Sequence, residues 1–116
     1  MDKYEARREM KQKLSEHLNK MPHFKYGKDT LFIEQQKYAT GSLALRILDE
    51  SGSVWGMLST NIPAESEMLG AGEFFAKTWS ENEDWSKAAL ASGLFVDTGD
   101  RMPTGFVFAP IWRINF

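Results

Sequence analysis

Apolar residues recur at helical spacing at the start of the chain. The stripe consists of Tyr4, Met10, Leu14, Leu18 and Met21. No Gly or Pro interrupts it, so the spacing predicts a helix over Asp2–Met21. Pro22 ends the helix because the residue before a proline is pushed out of helical geometry. The stripe is thin, and we therefore expect the helix to lie at the periphery and to dock by its second half.

From Lys28 onward the period changes to two, which is typical of half-buried strands. The predicted strands are Thr30–Gln35, residues 43–48, Val54–Thr60 and Glu73–Trp79. The turn-forming run Asp49–Ser53 joins the second and third of them into a hairpin. Gly56 inside the third strand indicates a bulge or a close backbone approach.

A second helix is predicted over Ser80–Ser92. Ser80 and Glu83 have the spacing of a capping box, in which each side chain bonds the other residue's backbone amide. Gly93 suits the left-handed position that follows a helix.

The C-terminal pattern predicts an extended segment at Leu94–Asp97, a loop at Thr98–Thr104 and a long strand over Gly105–Phe116. One face of that strand carries Phe106, Phe108, Trp112, Ile114 and Phe116. The other face carries Val107, Ala109 and Ile111 for half of the length, so we expect that part to be covered on both sides. Pro110 marks an edge or a bulge. The pattern as a whole predicts an α+β fold: an antiparallel sheet of about five to six strands, an N-terminal helix and a second helix near residues 80–92.

The composition of the chain fits one globular domain, residues 1–116, with a helix at 1–21 and an α+β body at 28–116. Hydrophobic residues make up 42% of the chain, which is enough for a core. Cysteine is absent, which excludes disulfides, thiol catalysis and thiolate metal sites. No apolar run is long enough to span a membrane, and no signal peptide is recognisable, so a cytoplasmic location is expected.

Charge is distributed unevenly along the chain. Residues 1–28 carry eight basic and four acidic side chains, while the net charge of the whole chain is −2. Such an arm suits nucleic acid, although mixed charges on a solvated helix are the simpler interpretation. Basic and aromatic residues also alternate farther on, at Lys25, Tyr26, Lys28, Phe32, Lys37 and Tyr38. That interleaving is weakly typical of single-strand binding.

Catalytic motifs give little support for an enzyme. Asp97-Thr98-Gly99 follows two apolar residues, as in aspartic proteases, but a polar turn explains it better. Glu73, Glu81, Glu83 and Asp84 are the remaining candidate carboxylates, and helix capping accounts for three of them. His17 and His23 have no partner at metal-ligand spacing. We expect no catalytic, cofactor-binding or metal-binding residues.

Three segments, Leu58–Pro63, Lys77–Glu83 and Gly93–Gly105, resemble a family of small domains of unknown function from bacterial plasmids, phages and integrated elements. The resemblance implies an accessory protein of a mobile element in a bacterial cytoplasm. It favours a non-catalytic protein that binds a host or element-encoded protein, of the anti-CRISPR or antirestriction type.

The alternatives are nucleic-acid binding through the basic N-terminal segment and, ranked last, a hydrolase; a homodimer is also open. The expected interaction surface comprises Arg7, Arg8, Lys11, Lys25, Tyr26, Lys28, Tyr38, Glu65 and Glu67.

Overall fold

Two antiparallel sheets of four strands each, with two α-helices, make up residues 2–116, the part of the chain that the computed structural model describes. The helices are α1 (Lys3–Leu18) and α2 (Glu83–Ala91). The strands are β1 (His23–Tyr26), β2 (Asp29–Lys37), β3 (Leu43–Leu48), β4 (Val54–Met57), β5 (Ser59–Thr60), β6 (Glu73–Ala76), β7 (Phe95–Thr104) and β8 (Val107–Ile114). The α+β prediction is confirmed, with eight strands in two sheets where one sheet was expected.

The first sheet has the order β1-β2-β3-β4 and the second has the order β5-β6-β8-β7. They are joined at Leu58, which is fully buried between β4 and β5. Its amide donates to the Leu45 carbonyl at 2.8 Å, and its carbonyl accepts from the Lys77 amide at 2.6 Å. The predicted strand Val54–Thr60 therefore exists as two strands, because the chain changes sheets at its middle.

Alternation along the first sheet gives it two buried faces. The inner face carries Leu31, Ile33, Leu45 and Ile47, which join the main core with Phe74, Trp85 and Trp112. The outer face carries Phe32 and Leu48, which pack with Leu18 of α1. A second-sheet cluster of Phe75, Met102, Ala109 and Ile111 lies on the side of β8 away from the main core.

Helix α1 docks by its second half, as predicted. Leu18 is buried, whereas Tyr4 and Met10 are 59% and 71% exposed. The Asp2 carboxylate caps the amides of Tyr4 and Glu5 at 2.9 Å each. The helix ends at Leu18, three residues before the predicted Met21, because the chain turns there to enter β1, a strand that the sequence pattern did not predict.

The predicted capping box at Ser80 is wrong. Ser80 has a left-handed backbone, with φ of 58°, and begins a 3₁₀ turn over Ser80–Asn82 that precedes α2. The residues at the cap positions of the 3₁₀ turn and of α2 are Trp79 and Asn82, and neither makes a side-chain capping hydrogen bond. The prediction at the other end holds, since Gly93 follows α2 with φ of 85°.

The predicted loop at Thr98–Thr104 is also wrong, because these residues belong to β7. A register shift between Asp97 and Arg101 accommodates the polar run inside the strand. The Thr98 hydroxyl donates to the Ile111 carbonyl of β8 at 2.7 Å, which ties the shifted segment to its partner strand. A side chain that bonds a strand carbonyl thus keeps this polar sequence in the sheet.

Candidate functional site

The β7–β8 hairpin extends past the strand beside it. Strand β6 pairs only with Ile111–Arg113 of β8, whereas β7 pairs with β8 as far as Thr104 and Val107. The outer part of the hairpin, residues 103–108, therefore continues as a two-stranded arm beyond the buried pair Met102 and Ala109. We call it the hairpin arm.

The tip of the hairpin arm is aromatic and exposed. Gly105, with φ of 61°, opens a two-residue turn, a geometry that glycine adopts without strain. Phe106 follows it in the turn and is 108% exposed, and Phe108 is 66% exposed. Two exposed phenylalanines at the end of a projecting hairpin are typical of a contact surface.

The expectation that half of Gly105–Phe116 is covered on both sides is correct only in part. Trp112 and Ile114 do pack with the main core, and Trp112 is 2% exposed. Phe108 lies on the same side of β8, but it lies beyond the residues of β8 that pair with β6 and is 66% exposed. The prediction that Phe108 and Trp112 share one face of the strand is therefore correct, whereas the expected burial of Phe106 and Phe108 is wrong.

The basic residues of the expected surface on α1 are all exposed. They are Arg7, Arg8 and Lys11. The Arg7 guanidinium lies 5.6 Å from the Tyr4 ring centre, so part of its charge faces an aromatic ring. No carboxylate within residues 2–116 lies within 4.0 Å of these three cations, although Lys13 pairs with Glu9 at 3.3 Å.

The aromatic residues between the predicted strands do not form a stacking surface. Tyr26 packs edge-to-face against Trp55 at 6.0 Å, and Phe32 is buried. The Tyr38 hydroxyl lies 2.9 Å from the Ser59 hydroxyl in the second sheet. Tyr26 and Tyr38 are also at opposite ends of β2, separated by roughly 30 Å at about 3.3 Å per residue.

The other expected surface residues are scattered. Lys28 is exposed in the turn between β1 and β2. Glu65 and Glu67 lie in a 3₁₀ turn, Pro63–Met68, that precedes β6 of the second sheet. The structure therefore brings the expected interaction residues together only in part, since α1 and the start of the first sheet adjoin one cleft.

That cleft, which we call the α1 cleft, lies between α1 and the outer face of the first sheet and measures about 610 Å³. Leu14, Leu18 and Phe32 supply its apolar surface. Its polar lining residues are Lys11, Ser15, Asn19, His23, Thr30, Glu50 and Ser51. The Lys25 ammonium donates to the Thr30 hydroxyl, which places a second lysine beside it.

Three of the carboxylates considered for catalysis, Asp97, Glu81 and Glu73, are engaged in local structure. The Arg101 guanidinium donates to both Asp97 oxygens, at 2.9 and 3.1 Å, and this holds the pKa of Asp97 below its usual value. The Lys77 ammonium bonds Glu81 at 2.7 Å and lowers the pKa of Glu81 to about 2. The Glu73 carboxylate accepts from the Gly70 amide at 2.7 Å. The contacts to Asp97 and Glu81 stabilise the charged forms of these two carboxylates, whereas a general acid needs a proton near neutral pH.

Neither histidine forms an ion pair with a carboxylate within residues 2–116. His23 lies over Phe32 in β2 with ring centres 5.6 Å apart, and His17 is exposed in the last turn of α1. Within residues 2–116, no group of three or more His, Asp or Glu side chains is arranged to hold a metal ion.

A smaller cleft of about 390 Å³ lies beside α2, with Trp79, Ser80 and Trp112 in its wall. The Trp112 indole nitrogen is buried and has no hydrogen-bond acceptor among residues 2–116. A buried donor without a partner is uncommon in proteins. The Trp112 ring otherwise packs against Phe74 and Phe95, so its established contacts are those of a core residue.

Comparison of the chain with models of protein families, with curated proteins and with solved structures gives no match in any of the three. Neither α-helix within residues 2–116 has the length and hydropathy needed to cross a membrane. The resemblance to domains of mobile elements therefore stays a prediction.

Proposed function

We propose that this protein is a non-catalytic binding protein that acts by contact with another protein. The observation that supports the proposal is the aromatic tip of the hairpin arm, where Phe106 and Phe108 are 108% and 66% exposed. Aromatic side chains of this kind contribute much of the binding energy in protein interfaces when they enter a pocket of the partner.

A protein is the partner that the charge of the hairpin favours. The two cations in β7 and β8 are Arg101 and Arg113, and Arg101 is held by Asp97. Binding to nucleic acid rests on several contacts between cations and phosphates, which this hairpin does not offer. An apolar pocket on a protein surface complements Phe106 and Phe108 directly.

The resemblance to domains of mobile elements directs the search for that partner. On this proposal the protein works in a bacterial cytoplasm, and its partner is a host or element-encoded protein. A component of a CRISPR or restriction complex is the first to test, with this protein as the inhibitor.

The experiment compares three tagged versions of the full chain as baits in bacterial lysate, with and without nuclease. They are the wild type, the double variant Phe106→Ser/Phe108→Ser, and the double variant Val54→Ser/Met68→Ser. Val54 and Met68 are 54% and 62% exposed, so the second pair is a matched control that removes exposed apolar side chains elsewhere. Folding of all three is checked by circular dichroism.

We expect a protein that survives nuclease and is captured by the wild type and by the Val54/Met68 variant, but not by the Phe106/Phe108 variant. With the purified partner, loss of both aromatic contacts should weaken binding by roughly 30-fold or more. Equal capture by both double variants would remove the hairpin arm from the proposal.

A second candidate function, nucleic-acid binding, is favoured by the exposed cations Arg7, Arg8 and Lys11 on α1, which have no carboxylate partner within residues 2–116. It predicts that capture disappears with nuclease and that affinity falls steeply with salt. The triple variant Arg7→Gln/Arg8→Gln/Lys11→Gln should then lose binding while the Phe106/Phe108 variant keeps it. Complexes that are insensitive to salt would exclude this function.

A further inference from the structure

The α1 cleft combines an apolar surface with cations that have no carboxylate partner. Leu14 and Leu18 of α1 face Phe32 of the first sheet across it. Its volume of about 610 Å³ lies within the range of small-molecule sites, roughly 300–1,000 Å³.

We propose that the α1 cleft binds a small amphipathic anion, a carboxylate attached to an apolar body. The proposal concerns a different surface from the hairpin arm and does not depend on the protein-binding function. In the bound state the apolar body contacts Leu14, Leu18 and Phe32, and the carboxylate lies near Lys11 and Lys25.

The first support is the state of the two lysines. Lys11 lines the cleft, and no carboxylate in residues 2–116 lies within 4.0 Å of its ammonium group. Lys25 is paired in register with Thr30, and its ammonium donates to the neutral Thr30 hydroxyl. Both cations can therefore accept an anionic partner without breaking an existing ion pair.

The second support is the position of the acidic residue in the cleft. Glu50 is the one carboxylate that lines it among the described residues. One of its oxygens accepts the backbone amide of Thr30 at 3.1 Å, which holds it against the sheet. Asp49, which bonds the lining residue Ser51, is likewise held by hydrogen bonds from Ser51 and Trp55. Both carboxylates are thus engaged by donors of the protein, whereas the two lysines have no ion-pair partner among residues 2–116, so an anion is favoured over a cation of the same shape.

The apolar part of the ligand follows from the floor of the cleft. A free inorganic anion would contact the lysines but would leave Leu14 and Phe32 facing water. An alkyl or aryl body gains about 25 cal/mol for each Å² of apolar surface that it covers. Charge and apolar area together therefore select an amphipathic anion.

The test uses three eight-carbon probes that differ only in the head group: octanoate, octanol and octylamine. Each is titrated into the ¹⁵N-labelled full chain below its micelle-forming concentration, and backbone amide shifts are followed by NMR. We expect saturable shifts from octanoate at Ser15, Thr30 and Ser51 around the cleft, with binding at least 10-fold weaker for octylamine. Octanol should fall between the two.

Two lysine variants test which side chains interact with the carboxylate of the ligand. Lys11→Gln and Lys25→Gln should each weaken octanoate binding about 3- to 10-fold and leave octanol binding unchanged. Lys13→Gln is the matched control, because Lys13 is on the same helix but outside the cleft lining and already pairs with Glu9. Added salt should weaken octanoate binding and have little effect on octanol.

Three outcomes would overturn the proposal. Equal affinity for octanoate and octylamine would show that the lysines do not select charge. Shifts centred away from the α1 cleft would move the site elsewhere. Absence of saturable shifts with all three probes would show that the cleft takes no such ligand.

Discussion

The side chain of Asn82 is predicted to be one of the largest polar contributions to stability in this fold. Asn82 is fully buried at the end of the 3₁₀ turn before α2. Its amide nitrogen donates to the Met57 carbonyl at 2.6 Å and to the Lys77 carbonyl at 3.0 Å. It therefore links the end of β4, the segment after β6 and the start of α2. The perturbation is Asn82→Ala.

The magnitude follows from the two carbonyls that lose a donor. A buried acceptor left unpaired costs about 1–3 kcal/mol, so the two carbonyls together cost about 2–6 kcal/mol. The Asn82 side-chain oxygen is itself buried and has no hydrogen-bond donor among residues 2–116, so its removal recovers about 1–3 kcal/mol. The expected net loss in the free energy of unfolding is therefore about 1–3 kcal/mol. For a domain of this size a loss of 1 kcal/mol lowers Tm by roughly 4 °C, so Tm should fall by about 4–12 °C.

Asn115→Ala is the matched control. The Asn115 side-chain nitrogen also donates to one carbonyl, that of Gly93 at 3.0 Å, but the residue is exposed and water can replace the bond. We expect this variant to lose less than about 0.5 kcal/mol. The assay for both is equilibrium unfolding in urea, followed by tryptophan fluorescence and by circular dichroism to verify two-state behaviour.

A third variant tests the chemistry of the contact. Asn82→Asp keeps the shape but replaces the amide nitrogen by an oxygen that faces two carbonyl oxygens. It should be less stable than Asn82→Ala at neutral pH, and its deficit should shrink as pH falls and the new carboxyl is protonated. If Asn82→Ala and Asn115→Ala lose the same free energy within about 0.5 kcal/mol, the reasoning is refuted.

Three further predictions use the same unfolding assay. Gly56→Ala should lose about 1–3 kcal/mol, because a Cβ atom there would lie 3.2 Å from the Asn82 side-chain oxygen; wild-type stability would contradict this. Leu18→Ala should lose about 2–3 kcal/mol, whereas Met10→Ala, at a 71% exposed position, should lose less than about 0.5; equal losses would disprove the docking of α1 by its second half. The pKa of Glu81 is lowered from 4.5 to about 2 by the bond from Lys77, so its contribution is complete above pH 4.5 and is lost as pH falls towards 2. Lys77→Gln should flatten the pH dependence over that window, and an unchanged slope would count against the ion pair.

The expected interaction surface shows where prediction from sequence stops. Exposure of Arg7, Arg8 and Lys11 followed from the thin apolar stripe of α1, since a helix with few apolar residues leaves its charges in water. The exposed aromatic tip of the hairpin arm was not predicted. The alternation of side chains places Phe108 on the same face as Trp112, but it does not show where the neighbouring strand β6 ends. The Gly105-Phe106 pair beside Thr104 and Val107 was the available signal of a tight turn.

The sequence by itself determined the features that depend on near neighbours. The bounds of β3 match the alternation over residues 43–48, and Gly56 marks the hairpin irregularity, where the register shifts opposite it between Ile47 and Leu48. The fold class followed as well, since periods of 3.6 and 2 are local properties of the chain.

Tertiary structure alone decided the features that depend on distant partners. The change of sheet at Leu58 needs the carbonyl of Leu45 and the amide of Lys77. Ser80 has a left-handed backbone, and Asn82, two residues later, is buried. The Asn82 side chain donates a hydrogen bond to the carbonyl of Met57, which is 25 residues earlier in the chain. Local propensity favoured a helix capped by Ser80 at this position. The hydrogen bonds from Asn82 to buried carbonyls contribute more free energy than that cap, because a buried carbonyl without a donor is costly.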